Sequence, residues 1–425
     1  KGDPCMPGTL TMEAIAQLAI FACAAMGYTV GRDGWRFEPL VEEISHVRAR
    51  GQTVPGAREV IYELFVEDVS TRDVPTFHAQ GLSTVDGLRS FHGSGCGGRL
   101  VPGYPMESRV RLLPKAVDAK AAHADGLLLD RAHLLHLAWG KPSDAFGTPY
   151  KVFDWTRACP RLPGPPLLLL SRIEQAPEKL WTLTAGASAQ LSWDVGEARW
   201  LGEEQRTAGV PLWALAEHGI QASSWLLSAL GAALDEQDAR RFDVQELRLS
   251  IPKALEETPQ SLSTGVRLAA VGEDGTMLLE SAVATGTQAV AQITITMAVR
   301  STARPASPEA PPEPEGEPHS LALQSNLLPG GLLALVDQAH GFWPQGGEAG
   351  LGLARVGLAM NHGLWFFTCH TFGAPRWPCG FYLEMATQAG TLLAHALGHE
   401  ARQWHAAGEA VSLRVHAEVL PGSGE

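Results

Sequence analysis

Three carboxylates occupy the same place in three copies of one pattern: Pro, five residues, Glu, three residues, Gln. The copies are Pro7/Glu13/Gln17, Pro211/Glu217/Gln221 and Pro378/Glu384/Gln388, followed by the apolar runs LAIFACAAMG, ASSWLLSALG and AGTLLAHALG. Residues four apart share a helical face, so each copy puts a carboxyl beside an amide on an otherwise apolar helix. A carboxylate in such a helix is rarely without function. Burial favours its protonated form, which makes proton transfer the chemistry it would serve.

Other reactive residues point to less. Cys5 and Cys379 have no recognisable His/Asn partner, so neither reads as a nucleophile. His395 and His399, four apart with Glu400 beside them, have a metal-compatible spacing, but no HExxH or second cluster supports it and no metal is expected. A G-x-S-x-G elbow and a Walker loop are both missing from the sequence.

The elements that must position the carboxylates follow from punctuation. Proline suits the first turn of a helix, and Gly27, Gly231 and Gly398 are natural stops, which predicts three helices. Strand patterns surround them: Val60 to Phe65, then Thr76 to Val85 turning through Asp86-Gly87, a type I′ signal, into Leu88 to Phe91. Likewise Gly265 to Val271 turns through Asp274-Gly275 into Met277 to Thr285, and Ala354 to Cys369 reads as strands before the third helix. The repeating unit is one long buried helix plus an antiparallel sheet.

On this basis residues 1–103 form unit one, 104–149 a helical connector, 150–302 unit two, 303–319 a Pro-rich linker and 320–425 unit three. The linker, ARPASPEAPPEPEGEPH, lacks the apolar content to pack. Unit two opens on RLPGPPLLLLSRI, residues 161–173. Both ends of the chain look like cuts through a unit, so a fragment of a larger polypeptide is expected.

With 425 residues and 45% hydrophobic content, the chain can bury several cores. A net charge of −13 without a dense Lys/Arg tract argues against sequence-independent binding to nucleic acid or anionic lipid. Leu10 to Met26 comes closest to a membrane span, but Glu13 interrupts it, and it is read as a helix buried in a soluble core. Six dispersed cysteines without a Cys-x-x-Cys pair suit a reducing, cytoplasmic setting.

The stretch Gly2 to Gln17, GDPCMPGTLTMEAIAQ, closely resembles the active-site segment of 3-hydroxydecanoyl-ACP dehydratases and of the dehydratase domains in polyunsaturated fatty acid synthases. The resemblance implies an α+β architecture of repeated hotdog folds, each a long helix wrapped by a curved antiparallel sheet, paired as double hotdogs. It also implies a histidine fourteen residues before the carboxylate. His370 stands there before Glu384, with Gly373, Pro375, Pro378 and Gln388 in register. In the first copy that position falls two residues before Lys1, and in the second it is Glu203.

The implied reaction is loss of water from a 3-hydroxyacyl thioester. His370 would take the C2 proton, while Glu384, and Glu13 in its own unit, would donate to the leaving hydroxyl. Helix entries at Gly8 and Thr9, and at Cys379 and Gly380, would polarise the thioester carbonyl. Cys5 would line the tunnel, and Gln17, Gln221 and Gln388 would tie the helices to neighbouring backbone or orient the carboxylates. The third copy departs from the family, with Ala374, Arg376, Trp377 and Cys379 in place of the usual Asp-Pro-Val-Met-Pro-Gly.

Glu217, lacking a histidine in its own copy, is expected to be a hydrogen-bonded relic. His370 and Glu384 are expected to face a common tunnel, units two and three to pair with one competent site, and unit one to pair with something upstream. No cofactor is implied. The implied partners are an acyl carrier protein bearing the 3-hydroxyacyl chain, for which Arg48 and Arg50 are candidate contacts, and further synthase domains, with homodimerisation possible through hotdog pairing. Two rival readings are a hotdog thioesterase or hydratase acting on coenzyme A esters, and a non-catalytic acyl-binding module.

Overall fold

The computed structural model describes residues 5–29, 35–40, 44–70, 74–102, 120–156, 159–197, 201, 209–235, 241–252, 255, 257–300, 314–324, 327–360, 364–370, 376–399, 410–415 and 419. The chain divides into two compact units, Lys1–Pro105 and Met106–Glu425.

In the first unit, α1 (Gly8–Ala25) lies on a sheet of β1 (Trp35–Pro39), β2 (His46–Ala49), β3 (Val60–Ser70), β4 (Thr76–Val85) and β5 (Leu88–Pro102), ordered β1-β5-β4-β3 with β2 also against β5. The Asp86-Gly87 turn has φ of 49° and 81°, the conformation a type I′ hairpin requires. Gly81 lets the helix approach, since a Cβ there would lie 2.3 Å from Ile15 Cγ2. One stripe of α1 is buried, Thr11, Ile15, Ala19 and Cys23. The expectation of a fully buried helix is therefore corrected: Leu10, Ile20, Met26 and Phe21, the last 71% exposed, face outward. By length and composition alone α1 could cross a membrane.

The second unit opens with β6 (His123–Ala124), β7 (Leu127–Leu128) and α2 (Arg131–Ala138). Asp130 caps α2 by accepting from His133 N–H at 3.1 Å. There follow β8 (Arg172–Gln175), β9 (Ser188–Asp194), α3 (Leu212–Ala229), β10 (Arg241–Ser250), β11 (Ser261–Val271), β12 (Met277–Thr285) and β13 (Gln288–Arg300). The third copy contributes β14 (Gln338–Trp343), β15 (Leu353–Gly357), α4 (Trp365–Cys369), α5 (Gly380–Ala396) and β16 (Ala410–Arg414).

Seven strands form one sheet, β16-β10-β13-β12-β11-β9-β8. Pairing of β16 with β10, from Glu246↔Arg414 to Ser250↔Ala410, joins the second and third copies in a continuous ladder. Helix α3 is buried over nearly its whole length and packs against α5. This is the α+β double-hotdog architecture that the resemblance implies, built from the helix-plus-sheet unit that the repeat predicts.

Two local expectations change. The segment before the third helix is not all strand: β15 ends at Gly357, and Trp365–Cys369 forms α4, which delivers His370. The end of the Pro-rich linker is not free of packing, because Gly316 O accepts from Trp343 Nε1 at 2.9 Å and His319 exchanges backbone hydrogen bonds with Phe342. Residues 303–313 lie outside the described residues.

Candidate functional site

His370 follows the last turn of α4, its N–H bonded to Phe366 O at 2.7 Å. The segment that opens unit two holds this turn in place. Gly164 N–H donates to Cys369 O at 2.7 Å, and a Cβ on Gly164 would fall 1.9 Å from Trp139, so only glycine fits. Around it Phe366, Trp377, Phe381 and Trp213 meet edge to face, with centroids 5.0 to 5.4 Å apart. Polar groups inside this apolar shell must satisfy one another.

The imidazole does so at both nitrogens. Nδ1 is 2.9 Å from Arg376 O, and Nε2 is 3.6 Å from Glu217 Oε1, an ion-pair distance longer than a hydrogen bond. Glu217 comes from α3, 153 residues earlier, and is 1% exposed; His370 is 4% exposed. The other carboxylate oxygen, Oε2, accepts from Gly380 N–H, the first residue of α5, at 3.2 Å. Burial alone would raise the Glu217 carboxyl. His370 foremost, then Gly380 N–H and the Arg376 guanidinium, outweigh it and hold the carboxyl below the usual range.

The carboxylate facing His370 is thus Glu217 and not Glu384. Glu384, 6% exposed, accepts from Gln388 Nε2 at 2.9 Å, and the same amide donates to Leu333 O at 2.8 Å. Burial pushes its carboxyl above the usual range, against the opposing hydrogen bond from Gln388. Gln221 behaves differently, bridging Leu169 N–H and Leu167 O at 2.8 Å each, which leaves Glu217 for His370. Glu217 is hydrogen-bonded, as expected, and the histidine it faces comes from the next copy and not from its own.

Of the remaining sequence-predicted residues, Gly380 and Cys379 stand at the α5 entry beside Glu217, with Cys379 half-buried. In the first unit, Glu13 and Gln17 are exposed and bonded to each other at 2.9 Å, so the expected burial of Glu13 does not occur. Gly8 and Thr9 are exposed at the α1 entry and Cys5 is half-buried. Arg48 in β2 and Arg50 just after it are exposed. His395 Nε2 lies 2.9 Å from Gln324 Nε2. Gly373, Ala374, Pro375, Glu203 and Glu400 lie outside the described residues.

Sequence reading missed the Glu217 to His370 pairing, although the repeat contained the signal. Copies of one apolar helix pack on each other, so a carboxylate on one can meet a histidine belonging to the other. His218, next to Glu217, was also missed. Its Nδ1 faces Leu169 O at 2.7 Å and its Nε2 faces Thr264 Oγ1 at 2.6 Å, and burial lowers its pKa to about 4, so it is a neutral strut between α3 and the sheet.

A FabA-like domain matches residues 1–93 and again residues 328–425. At both ends, then, the chain is similar to a FabA-like domain. The second match includes His370, Gly380 and Glu384, whereas Glu217 lies on the helix between the two matched segments. Among solved structures, the chain is similar to a conserved protein of Pseudomonas aeruginosa (15% identity, 29% of this chain and 87% of that one, TM-score 0.21). It is also similar to a hypothetical thioesterase protein with coenzyme A from Streptococcus pneumoniae (13%, 31% and 97%, 0.23) and to the 12:0-ACP thioesterase of Umbellularia californica (10%, 27% and 46%, 0.22). Likenesses this slight carry no argument about function.

Proposed function

We propose that the second unit is an acyl-thioester enzyme whose reaction is the reversible loss of water from a 3-hydroxyacyl thioester. The observation that supports this most is the pair itself. A buried carboxylate and a buried imidazole face each other 3.6 Å apart, and Glu217 Oε1 has no hydrogen-bond partner within the described residues. Buried polar oxygens normally spend their bonding capacity. One left open toward an imidazole suits a substrate that brings its own proton and hydroxyl.

Elimination needs one group to take the C2 proton and another to deliver a proton to the C3 oxygen, and a facing carboxyl and imidazole supply both. The amino end of α5, whose Gly380 N–H already holds a carboxylate oxygen, offers positive potential where the thioester carbonyl gains negative charge. The aromatic shell of Trp213, Phe366, Trp377 and Phe381 excludes water from the dyad. Acyl carrier protein is the proposed carrier of the acyl chain, with coenzyme A the alternative.

A second reading, thioester hydrolysis, is favoured by one specific contact. The bond from Gly380 N–H to Glu217 Oε2 puts the carboxylate next to the place where a helix terminus would polarise the thioester carbonyl, and a carboxylate there is able to activate water. Matched 3-hydroxyacyl, trans-2-enoyl and saturated acyl thioesters, each on carrier protein and on coenzyme A, separate the two readings by product mass. Interconversion of hydroxyacyl and enoyl forms supports dehydration. Free acid from all three, without interconversion, supports hydrolysis and overturns the first reading, and no turnover of any leaves a scaffold.

A further inference from the structure

Both members of the dyad are tied to one short segment, residues 161–170, near the start of unit two. On the histidine side, Gly164 N–H donates to Cys369 O at 2.7 Å, one residue before His370. On the glutamate side, the segment grips α3 one turn beyond Glu217. Gln221 Oε1 accepts from Leu169 N–H and Gln221 Nε2 donates to Leu167 O, each at 2.8 Å, and Leu169 O lies 2.7 Å from His218 Nδ1. Gly164 and Leu167 are three residues apart, so at most ~10 Å of chain separates the two grips. Pro165 and Pro166 stand between them, and fixed φ angles leave that span little freedom. The third copy lacks the double grip: Gln388 Nε2 donates to Leu333 O, but Leu335 N–H, two residues on, turns to Leu333 O at 2.8 Å.

The segment is itself splinted along α2. Its front is held at the carboxyl end of that helix, where Arg161 Nη1 donates to Gly140 O at 2.5 Å and lies 3.4 Å from both His136 O and Leu137 O. Carbonyls at a helix carboxyl end lack intrahelical donors and favour a cationic side chain. Its back is held at the amino end, where Arg131 Nη1 donates to Leu170 O. Trp139, the residue that ends α2, packs against Gly164. Arg161, Leu162, Leu167 and Leu169 are all buried, so the clamp works in a low-dielectric interior, where its hydrogen bonds are strong and costly to leave unmade.

We propose that Arg161 is a positioning residue for the dyad: by locking residues 161–170 onto α2 it fixes the separation of His370 and Glu217. It acts on His370 through Gly164 and Cys369, and on Glu217 through Leu167, Leu169 and Gln221. The helical region ahead of unit two is by this account a working part of the site, a splint for the one segment that both halves of the dyad share. The catalytic consequence rests on the dehydration reading; the splint itself does not.

Arg161→Met in the full chain removes the clamp and keeps much of the bulk. Its kcat for dehydration should fall about 10- to 100-fold with KM within about twofold of wild type. Arg161→Lys, whose ammonium can donate to the same carbonyls, should recover most of that loss. Hydrogen exchange read by mass is independent of turnover: the Gly164 and His370 amides should exchange about tenfold faster or more in Arg161→Met than in wild type. Tyr150→Phe, which removes the bond from Tyr150 Oη to Ser228 O near the far end of α3, is the control that lowers stability and leaves kcat alone. An Arg161→Met protein that melts earlier yet keeps wild-type kcat, or a loss of kcat that Arg161→Lys does not reverse, overturns the proposal. If Arg161→Met does not fold, Arg161→Gln, which keeps an amide donor, takes its place under the same criteria. Faster exchange in a variant of a protein that turns over no thioester defeats the dehydration reading and leaves the splint intact; wild-type dehydration with exchange unmoved by Arg161→Met does the reverse.

Discussion

Adding a methyl group at Gly380 perturbs the site where α5 crosses α3. An alanine Cβ there would lie 2.5 Å from Trp213 O and 3.2 Å from Glu217 Cβ. The obstructing atom is backbone, so no side chain can swing away. An ordinary carbon to oxygen contact is ~3.3 Å or more, so the α5 entry must withdraw by ~0.8 Å. That stretches Gly380 N–H to Glu217 Oε2, now 3.2 Å, beyond hydrogen-bonding range and shifts His370 relative to Glu217. Overpacking of this kind costs about 1–3 kcal/mol of stability, and displacement of reacting groups by ~1 Å costs on the order of 100-fold in kcat, or about 2.7 kcal/mol of barrier. The assay pairs a thermal melt with steady-state dehydration of a 3-hydroxyacyl thioester. Gly390→Ala on the same helix is the control, since a Cβ there meets nothing within 4 Å and should stabilise by up to about 1 kcal/mol. A Gly380→Ala protein with wild-type melt and wild-type kcat would refute the close crossing and the site built on it.

Glu217→Gln removes the carboxylate while preserving shape, and should lower kcat by roughly 10²–10⁴, read by enoyl product formation. Glu384→Gln should leave kcat within a few-fold of wild type and alter stability instead. Because the folded state raises the Glu384 pKa, its contribution is fully present below the unfolded value and is lost as pH rises through the folded value. Melts of Glu384→Gln should therefore gain on wild type as pH rises from the ordinary carboxyl value of 4.5 through the higher folded value, with a slope of up to ~1.4 kcal/mol per pH unit. Glu13→Gln, on an exposed helix face, should change stability by less than about 0.5 kcal/mol and leave turnover by the second unit unchanged.

The frame of this fold was legible because its signals are local. Pro7, Pro211 and Pro378 precede helices that begin at Gly8, Leu212 and Gly380, and Gly27, Gly231 and Gly398 lie just past their ends with positive φ. Asp86-Gly87 placed a hairpin turn correctly for the same reason. The site was only half legible. His370 and Glu384 were linked by counting along the chain, whereas the contact that forms joins residues 153 apart through the crossing of α3 and α5. Counting also could not show that Gln388 holds Glu384 while Gln221 turns to the backbone, since both amides sit four residues after a glutamate. Burial of α1 was overestimated because its composition matches that of α3, yet only the stripe of Thr11, Ile15, Ala19 and Cys23 meets the sheet.

A double-mutant cycle in kcat/KM for dehydration tests the Glu217 to His370 dyad most directly. Residues that act as one unit are strongly non-additive. Glu217→Gln, His370→Gln and the double variant should all fall to nearly the same residual rate. Losses that multiply in the double variant, or a His370→Gln defect that couples to Glu384→Gln instead, would contradict a site shared between the two copies.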